Sequence, residues 1–235
     1  MYSDARLTFV GCSQWMADLA KTSKLTQGHR VISIPNAINT DRFRPQDKME
    51  ARKAFNLPTD KRLLLFGCQR ITDERKGFHY LVEALQLIKQ QNPNIAKSCE
   101  LVVVGGAAEN VRHLVPFNAI PISYVKDPQK MVQLYNAVDL YVTPSLQDNL
   151  PNTIMESMAC GTPCVGFNVG GIPEMIDHKD NGYVAAYKDA QDFANGILWT
   201  LAADHGALSR HARNKVMVTY SENAVARKYI DVYED

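Results

Sequence analysis

The segment VDLYVTPSLQDNLPNTIMESMACGTPCVGF, residues 138–167, has an apolar run at each end and a helical pattern between them. The two runs, residues 138–142 and 163–167, predict strands buried on both faces. Between them, Pro151 suits the first position of a helix, and Gly161 suits the residue that ends one. A helix that connects two buried strands is the unit from which parallel sheets are built. The segment therefore predicts an α/β fold.

Similar strands and helices are predicted along the rest of the chain. Further strands are expected at residues 7–10, 31–34, 61–67, 99–104, 119–124 and 182–185. Further helices are expected at residues 49–55, 78–88, 128–136, 189–203, 207–219 and 221–233, with one after Ser13 and a short one near Pro173. The glycine pairs at 105–106 and 170–171 predict turns. Strands that alternate with helices predict a doubly wound parallel sheet.

The carboxyl ends of the strands are where such a sheet binds its ligands. We therefore expect one crevice, formed by the loops that follow Phe66, Val104, Tyr124, Val142 and Phe167.

Composition excludes several classes of protein. Of the 235 residues, 26 are Lys or Arg and 25 are Asp or Glu, so the balance of charge gives no indication of nucleic-acid binding. Five scattered cysteines indicate a reducing compartment, and the absence of a long apolar run and of a signal peptide predicts a cytoplasmic protein. Cys160 and Cys164 lack further ligands at zinc-site spacing, so no metal site is expected.

Two carboxylates flank the start of the predicted helix at 151–161. Asp148 precedes the helix and Glu156 lies inside it. A helix start has unpaired N–H groups and a partial positive charge, so this arrangement indicates a phosphorylated, hydroxyl-bearing ligand. The alternatives are that Asp148 or Asn149 only caps the helix and that Glu156 is a solvated residue on its outer face.

A cationic loop follows the strand predicted at 61–67. It contains Arg70, Arg75 and Lys76, which could neutralise a diphosphate. The alternative is that these cations are solvated and pair with Asp73 and Glu74. A P-loop is excluded because the sequence has no GxxxxGK[ST] motif. An NAD-linked Rossmann enzyme remains a weaker alternative, since VVVGGAAEN at 102–110 lacks the GxGxxG spacing.

Three motifs together resemble a known family. They are R-x5-KG from Arg70, YNAVDLYVTPS at 135–145, and the D-x7-E that opens DNLPNTIMESMACGTPCVGFNVGGIPE at 148–174. In this order they resemble the C-terminal domain of retaining glycosyltransferases of family 4, which are GT-B enzymes with an E-x7-E signature. The segment PNAINTDRFRP at 35–45 resembles the hinge between the two Rossmann-like halves of those enzymes.

The resemblance implies a domain organisation. Residues 1–40 would be the tail end of an N-terminal domain and the interdomain connector. Residues 41–220 would be the Rossmann-like domain that binds the nucleotide-sugar donor, the C-terminal half of a GT-B fold. Residues 221–235 would be the last helix, which in the family crosses back to the N-terminal half.

The resemblance also implies a catalytic set. Arg70 and Lys76 would bind the diphosphate of the donor and stabilise charge on the leaving nucleotide. Asp148 stands where the family has the first Glu, beside the donor sugar, and is one methylene shorter. Retention in this family is thought to proceed by front-face attack, with the leaving phosphate helping to deprotonate the acceptor. Asp148 is therefore not expected to act as a nucleophile.

Six further residues are implied to bind the donor. Asn149 and Leu150 would offer backbone N–H groups to sugar or phosphate, and Glu156 would hold the ribose hydroxyls. The residues expected to line the base are Tyr124, Val125 and Lys126.

The implied activity is hexosyl transfer in glycan biosynthesis, from a UDP-, GDP- or ADP-sugar to an unknown acceptor, without a metal or other cofactor. A sugar or lipid-linked acceptor, and any peripheral membrane contact, would belong to an acceptor-binding N-terminal half that the sequence does not show. The chain alone is expected to bind the donor without completing a transfer. The alternative function is a nucleotide-sugar-binding module without catalysis.

Overall fold

The computed structural model describes residues 7–70, 73–106 and 108–234. The strands in these ranges are β1 Thr8–Gly11, β2 Arg30–Ser33, β3 Arg62–Arg70, β4 Cys99–Gly106, β5 Asn118–Ile122, β6 Leu140–Thr143, β7 Cys164–Phe167 and β8 Gly182–Ala185. The helices are α1 Gln14–Lys21, α2 Lys48–Ala54, α3 Phe78–Gln91, α4 Pro93–Ser98, α5 Pro128–Ala137, α6 Asn152–Ala159, α7 Ile172–Met175, α8 Ala190–Ala202, α9 His205–Thr219 and α10 Glu222–Glu234. No helix of the described residues is long and apolar enough to cross a membrane.

Six strands form one parallel sheet in the order β5-β4-β3-β6-β7-β8. From β3 the chain adds β4 and β5 on one side, and it then returns to place β6, β7 and β8 on the other. The strand order therefore reverses between β3 and β6. Such a reversal opens a crevice at the carboxyl ends of the two central strands.

Helices cover both faces of the sheet, which confirms the doubly wound α/β fold. Leu63 and Leu65 of β3 pack on the face covered by α5 and α6. Leu64 and Phe66 pack on the opposite face, against α3 and α8. Because alternate residues of a strand point to opposite faces, a strand buried on both sides must be apolar throughout.

The amino-terminal ends of β3 and β6 are joined by a buried carboxylate. The side chain of Asp139 is 4% exposed and accepts a hydrogen bond from the backbone N–H of Leu63 at 2.7 Å. It also pairs with Arg52 of α2 at 2.8 Å and with Lys48 at 2.7 Å. The network fixes α2 against the edge of the sheet opposite the crevice.

Strands β1 and β2 form a separate parallel pair connected by α1. Ser13 caps α1 as expected, since its side chain accepts a hydrogen bond from the backbone N–H of Met16. The connector that follows reaches the carboxyl-terminal part of the chain, where the N–H of Ile38 donates to Tyr220 at 2.9 Å. The domain boundaries at residues 40 and 220 stay predictions.

Three local expectations were wrong. Gly105 and Gly106 end β4 rather than forming a turn, because Gly106 still pairs with Arg70 of β3. Pro151 precedes α6 instead of occupying its first position. The short helix α4 has no counterpart among the predicted helices.

Candidate functional site

Two adjoining cavities lie at the carboxyl ends of the central strands. The first, of about 220 Å³, is called here the inner cavity and is lined by Tyr124, Val125, Tyr135 and Glu156, among others. The second, of about 290 Å³, is called the cationic cavity, and the charged groups in its lining include Arg70, Arg75, Lys76 and Asp148. Both are also lined by Gly67, Cys68, Gln69, Tyr141 and Thr153. They therefore form one continuous cleft.

The cationic cavity brings together groups that are far apart in the sequence. Nζ of Lys76 lies 2.8 Å from Oδ2 of Asp148, and the two side chains are 33% and 17% exposed. Arg70, at the end of β3, lines the same cavity. Arg75 lines this cavity too, but its guanidinium pairs with Asp73 at 2.9 Å on the surface, as the alternative of solvated loop charges predicted. A cation and a carboxylate that are 72 positions apart in the sequence thus form an ion pair within the cleft.

Gly77 is what allows Lys76 to reach Asp148. Its φ of +64° is one that L side chains rarely adopt, and a Cβ at this position would collide with the carbonyl oxygen of Pro144. Next to it, the N–H of Leu146 donates to the carbonyl oxygen of Arg75 at 2.7 Å. The loop after β3 therefore packs directly on the loop after β6.

The predicted glycine turn at residues 170–171 packs against the backbone of the loop that carries Asp148. Gly170 has φ of +58°, and a Cβ there would collide with the carbonyl oxygen of Asp148. The N–H of Gly171 donates to the carbonyl oxygen of Asn149 at 2.7 Å. The loop after β7 thus belongs to the site by holding the backbone of Asp148 in place.

The expectation that Asp148 or Asn149 might only cap α6 was wrong, because α6 has no side-chain cap. Instead, Asn149 donates to Sγ of Cys12 at 2.8 Å and accepts a hydrogen bond from the Ser13 hydroxyl. Leu150 is 6% exposed, and its side chain packs in the core rather than in the cleft. Among the described residues, the N–H groups of Asn149 and Leu150 have no acceptor.

A second contact with α1 comes from Glu174 of α7, which follows the glycine turn at residues 170–171. Both carboxylate oxygens of Glu174 accept backbone hydrogen bonds at 2.8 Å, one from Gln14 and one from Trp15. Glu174 is the last residue of the long motif, and its interaction with α1 has no signal in the local sequence.

Glu156 faces the inner cavity, so the expectation of a solvated outer-face residue was also wrong. Its Oε2 accepts a hydrogen bond from the hydroxyl of Tyr135 at 2.8 Å. Burial raises the pKa of Glu156, and the hydrogen bond from Tyr135 opposes this rise. Burial likewise raises the pKa of Tyr135 well above its usual value, so its hydroxyl stays a donor.

Of the three residues expected to line the base, two lie in the inner cavity and one does not. Tyr124 and Val125 line the inner cavity, with Tyr124 54% exposed. Lys126 is exposed and does not line either part of the cleft.

Sequence reasoning missed several residues that the cleft uses. Thr153 was detectable, since it lies three residues before Glu156 and so shares its face of the helix. Tyr135 lies in a quoted motif but was given no role. Gly67, Cys68 and Gln69 line the cleft as expected of the segment that follows Phe66, although Cys68 and Gln69 belong to β3 rather than to a loop.

The described residues include no group of three or more His, Cys, Asp and Glu side chains that could hold a metal. Cys160 and Cys164 are buried free thiols, and burial raises the pKa of each to about 12. The expectation that the reaction needs no metal stays a prediction.

The comparison with known proteins identifies the family. The model of the family described as glycosyl transferases group 1 matches residues 60–204. The chain belongs to this family. The matched region of this group 1 glycosyl transferase contains the whole six-stranded sheet and every residue of the two cavities. The family expected from the motifs is confirmed.

One relative is D-inositol 3-phosphate glycosyltransferase 2 of Catenulispora acidiphila, 29% identical over 217 residues, which cover 87% of this group 1 chain and 50% of the relative. The chain spans about half the length of the curated relatives it matches.

Solved structures confirm the fold class. Sucrose-phosphate synthase from Thermosynechococcus elongatus has a TM-score of 0.78 at 24% identity, covering 97% of this chain and 57% of that one. Anabaena HepE, solved in complex with UDP and glucose, has a TM-score of 0.72 at 18% identity, covering 96% and 62%. At these identities the likeness supports the Rossmann-like half of a GT-B fold.

Proposed function

We propose that the chain is the donor-binding half of a retaining glycosyltransferase, which transfers a hexosyl group from a nucleotide-diphosphate sugar. The observation that carries this proposal is the continuous cleft between β3 and β6, with the Lys76–Asp148 pair in one part and Glu156 in the other. Membership of the glycosyl transferase group 1 family supports it. So does the structure of Anabaena HepE, a fold relative, which was solved in complex with UDP and glucose.

The cationic cavity suits the diphosphate. Arg70 and Lys76 would neutralise its charge, and Lys76 would exchange Asp148 for phosphate oxygens when the donor binds. The free N–H groups of Asn149 and Leu150 lie just ahead of α6, whose positive end also favours an anion.

The inner cavity suits the nucleoside. Glu156 presents a carboxylate that would accept hydrogen bonds from the two ribose hydroxyls. Tyr124 and Val125 offer apolar surface to the base, and Lys126 would reach it only from the exposed edge.

Charge development explains why these groups favour the transfer. Breaking the bond between sugar and phosphate places negative charge on the diphosphate and positive charge on the sugar. Fixed cations at the first and the Asp148 carboxylate near the second complement that transition state. With front-face attack, the departing phosphate takes the acceptor proton and no protein nucleophile is needed. The acceptor would be held by an N-terminal half, and the residues of the cleft would supply the donor-binding part of the transfer.

A thermal-shift titration with UDP, GDP, ADP, their sugars and NAD tests the proposal. At a ligand concentration one hundred times Kd, binding stabilises by about 2.7 kcal/mol, which raises Tm by roughly 5–10 °C for a chain of this size. One nucleoside diphosphate should produce this shift, and Arg70→Ala with Lys76→Ala should abolish it.

The matched control is Lys53→Ala. Lys53 also forms a 2.7 Å ion pair, with Glu50, but on α2 outside the cleft. This variant should keep the full response. A shift with NAD alone, or a response to nucleoside diphosphate that survives the double substitution, would contradict the proposed function.

A further inference from the structure

The motif at residues 135–145 contains the end of α5 and the strand β6, and its first residue, Tyr135, also contacts the cleft. The Tyr135 hydroxyl, from α5, donates to Oε2 of Glu156 on α6 at 2.8 Å, at the wall of the inner cavity. We propose that Tyr135 is a positioning residue, whose phenol holds the Glu156 carboxylate in the orientation that accepts hydrogen bonds from a ribose diol. This inference rests on the proposed function of the cleft.

Tyr135 is itself fixed in place. Its side chain is completely buried, and its ring packs edge-on against Tyr141, with centroids 6.0 Å apart at 79°. Its backbone is held as well, because the Thr162 hydroxyl donates to its carbonyl oxygen at 2.7 Å. The phenol is therefore a rigid donor that approaches Glu156 from the core.

Glu156 depends on that donor. Among the described residues, Tyr135 is the one side chain that donates a hydrogen bond to its carboxylate, and no Lys or Arg pairs with it. A carboxylate has two oxygens, so fixing Oε2 leaves Oε1 for a ligand. Without the phenol, a long side chain regains rotamer freedom that ligand binding must then remove.

The charge of Glu156 depends on the same contact. The titratable groups that face it are Tyr135, Tyr141 of β6 and Cys160 beyond the end of α6, and burial raises the pKa of each of the three. All three are therefore neutral near pH 7. Burial raises the pKa of Glu156, which only the hydrogen bond from Tyr135 opposes. Loss of the phenol should raise that pKa further, so the carboxylate would protonate at a higher pH.

The test measures Kd by calorimetry for the nucleoside diphosphate that gives the largest thermal shift and for its 2′,3′-dideoxy analogue. The proteins are the unsubstituted chain, Tyr135→Phe, Glu156→Gln and the control Tyr220→Phe. Tyr220 is also buried, and its hydroxyl donates to the carbonyl oxygen of Glu174 at 3.1 Å, outside the cleft.

We expect the unsubstituted chain and Tyr220→Phe to bind the ribose form on the order of tenfold more tightly than the dideoxy form, the size of one charge-assisted hydrogen bond. This preference should be lost in Glu156→Gln and strongly reduced in Tyr135→Phe. In Tyr135→Phe it should also weaken further as the pH falls from about 7 to about 5, whereas the ligand's own phosphate titration, with a pKa near 6, cancels in the ratio.

The outcomes separate the two proposals. If Glu156→Gln keeps the ribose preference, Glu156 does not bind the diol. This result would contradict both the ribose contact of the proposed function and the positioning role of Tyr135. If Glu156→Gln loses it and Tyr135→Phe keeps it at every pH, only the positioning role of Tyr135 is overturned.

A second measurement uses the chain labelled with fluorotyrosine, in case Tyr135→Phe does not fold. Tyr124→Phe and Tyr141→Phe identify the resonances of the two other tyrosines of the inner cavity, and of those that remain, the one displaced by Glu156→Gln belongs to Tyr135. It should shift with the ribose ligand and stay unchanged with the dideoxy form. The same response to both ligands contradicts the inference.

Discussion

Replacing Gly77 by alanine tests how the loop after β3 places Lys76 in the cleft. Gly77 combines a φ of +64° with a close approach to the carbonyl oxygen of Pro144. The chain offers a matched control in Gly28, whose φ is +83° but whose added Cβ would meet nothing within 4 Å. Gly28→Ala therefore introduces the backbone strain alone, and Gly77→Ala introduces strain together with a collision.

The two free energies can be estimated separately. A left-handed conformation costs an L residue about 1–2 kcal/mol, and the stiffer unfolded chain returns about 0.4–1 kcal/mol, so Gly28→Ala should cost about 1 kcal/mol. In Gly77→Ala the loops must separate. This also removes the 2.7 Å hydrogen bond between Leu146 and Arg75, at about 0.5–1.5 kcal/mol, and the partly exposed pair of Lys76 with Asp148, at up to about 1 kcal/mol. The total is about 1.5–3.5 kcal/mol.

Urea unfolding of both variants measures the difference in the free energy of unfolding, and the thermal-shift titration measures ligand binding. Gly77→Ala should be the less stable protein and should lose its response to nucleoside diphosphate. Gly28→Ala should keep the full response. Equal destabilisation of the two variants would show that the contact with Pro144 contributes nothing. A normal ligand response in Gly77→Ala would show that Lys76 does not depend on it.

Two further substitutions separate stability from binding. Asp139→Asn should destabilise the fold by about 3–5 kcal/mol in urea at pH 7, because it leaves buried Arg52 without its carboxylate. Burial raises the pKa of Asp139, but Lys48, the N–H of Leu63 and the charge of Arg52 together outweigh this, so the net pKa is lowered. The stabilisation is therefore present above the unfolded pKa and is lost as the pH falls through the folded value. The stability of Asp139→Asn should lack this acid-dependent component, and an equal loss of stability in acid would refute the assignment. Asp148→Asn should bind the nucleoside diphosphate as tightly as the unsubstituted chain or up to about fivefold more tightly, because the ligand no longer competes for Lys76, and it should lose any preference for the sugar-bearing donor. Calorimetry with both ligands checks this, and weaker binding of the diphosphate alone would contradict it.

The strands at the centre of the sheet were the most predictable part of the fold. A strand buried on both faces must be apolar along its length, so the runs in β3 and β7 could be read directly. The end of β3 could not, because pairing with β4 continues through polar residues as far as Arg70. Gly105 and Gly106 were predicted as a turn because paired glycines are typical of turns, whereas here their backbone continues the pairing of β4 with β3.

The site was predictable where topology alone determines it. Parallel strands place their carboxyl ends together, so Lys76 and Asp148 were expected in one crevice, and the structure places them 2.8 Å apart. The partners of Asn149 were not predictable. Its contact with Ser13 joins residues 136 positions apart, and it depends on how α1 packs against the loop after β6. No local pattern in the sequence encodes such a contact.

The ion pair in the cleft links the binding of phosphate to the chemistry proposed for the sugar. In the structure Lys76 partly neutralises Asp148, whose side chain is only 17% exposed. A bound diphosphate would take over Lys76, and the Asp148 carboxylate would then be left without its cation. An unpaired, partly buried carboxylate is costly in the ground state, and positive charge on the sugar relieves that cost as the transition state forms. Under the proposed function, the same Lys76 that binds the leaving group would thus make Asp148 more effective in stabilising the transition state than in binding the substrate.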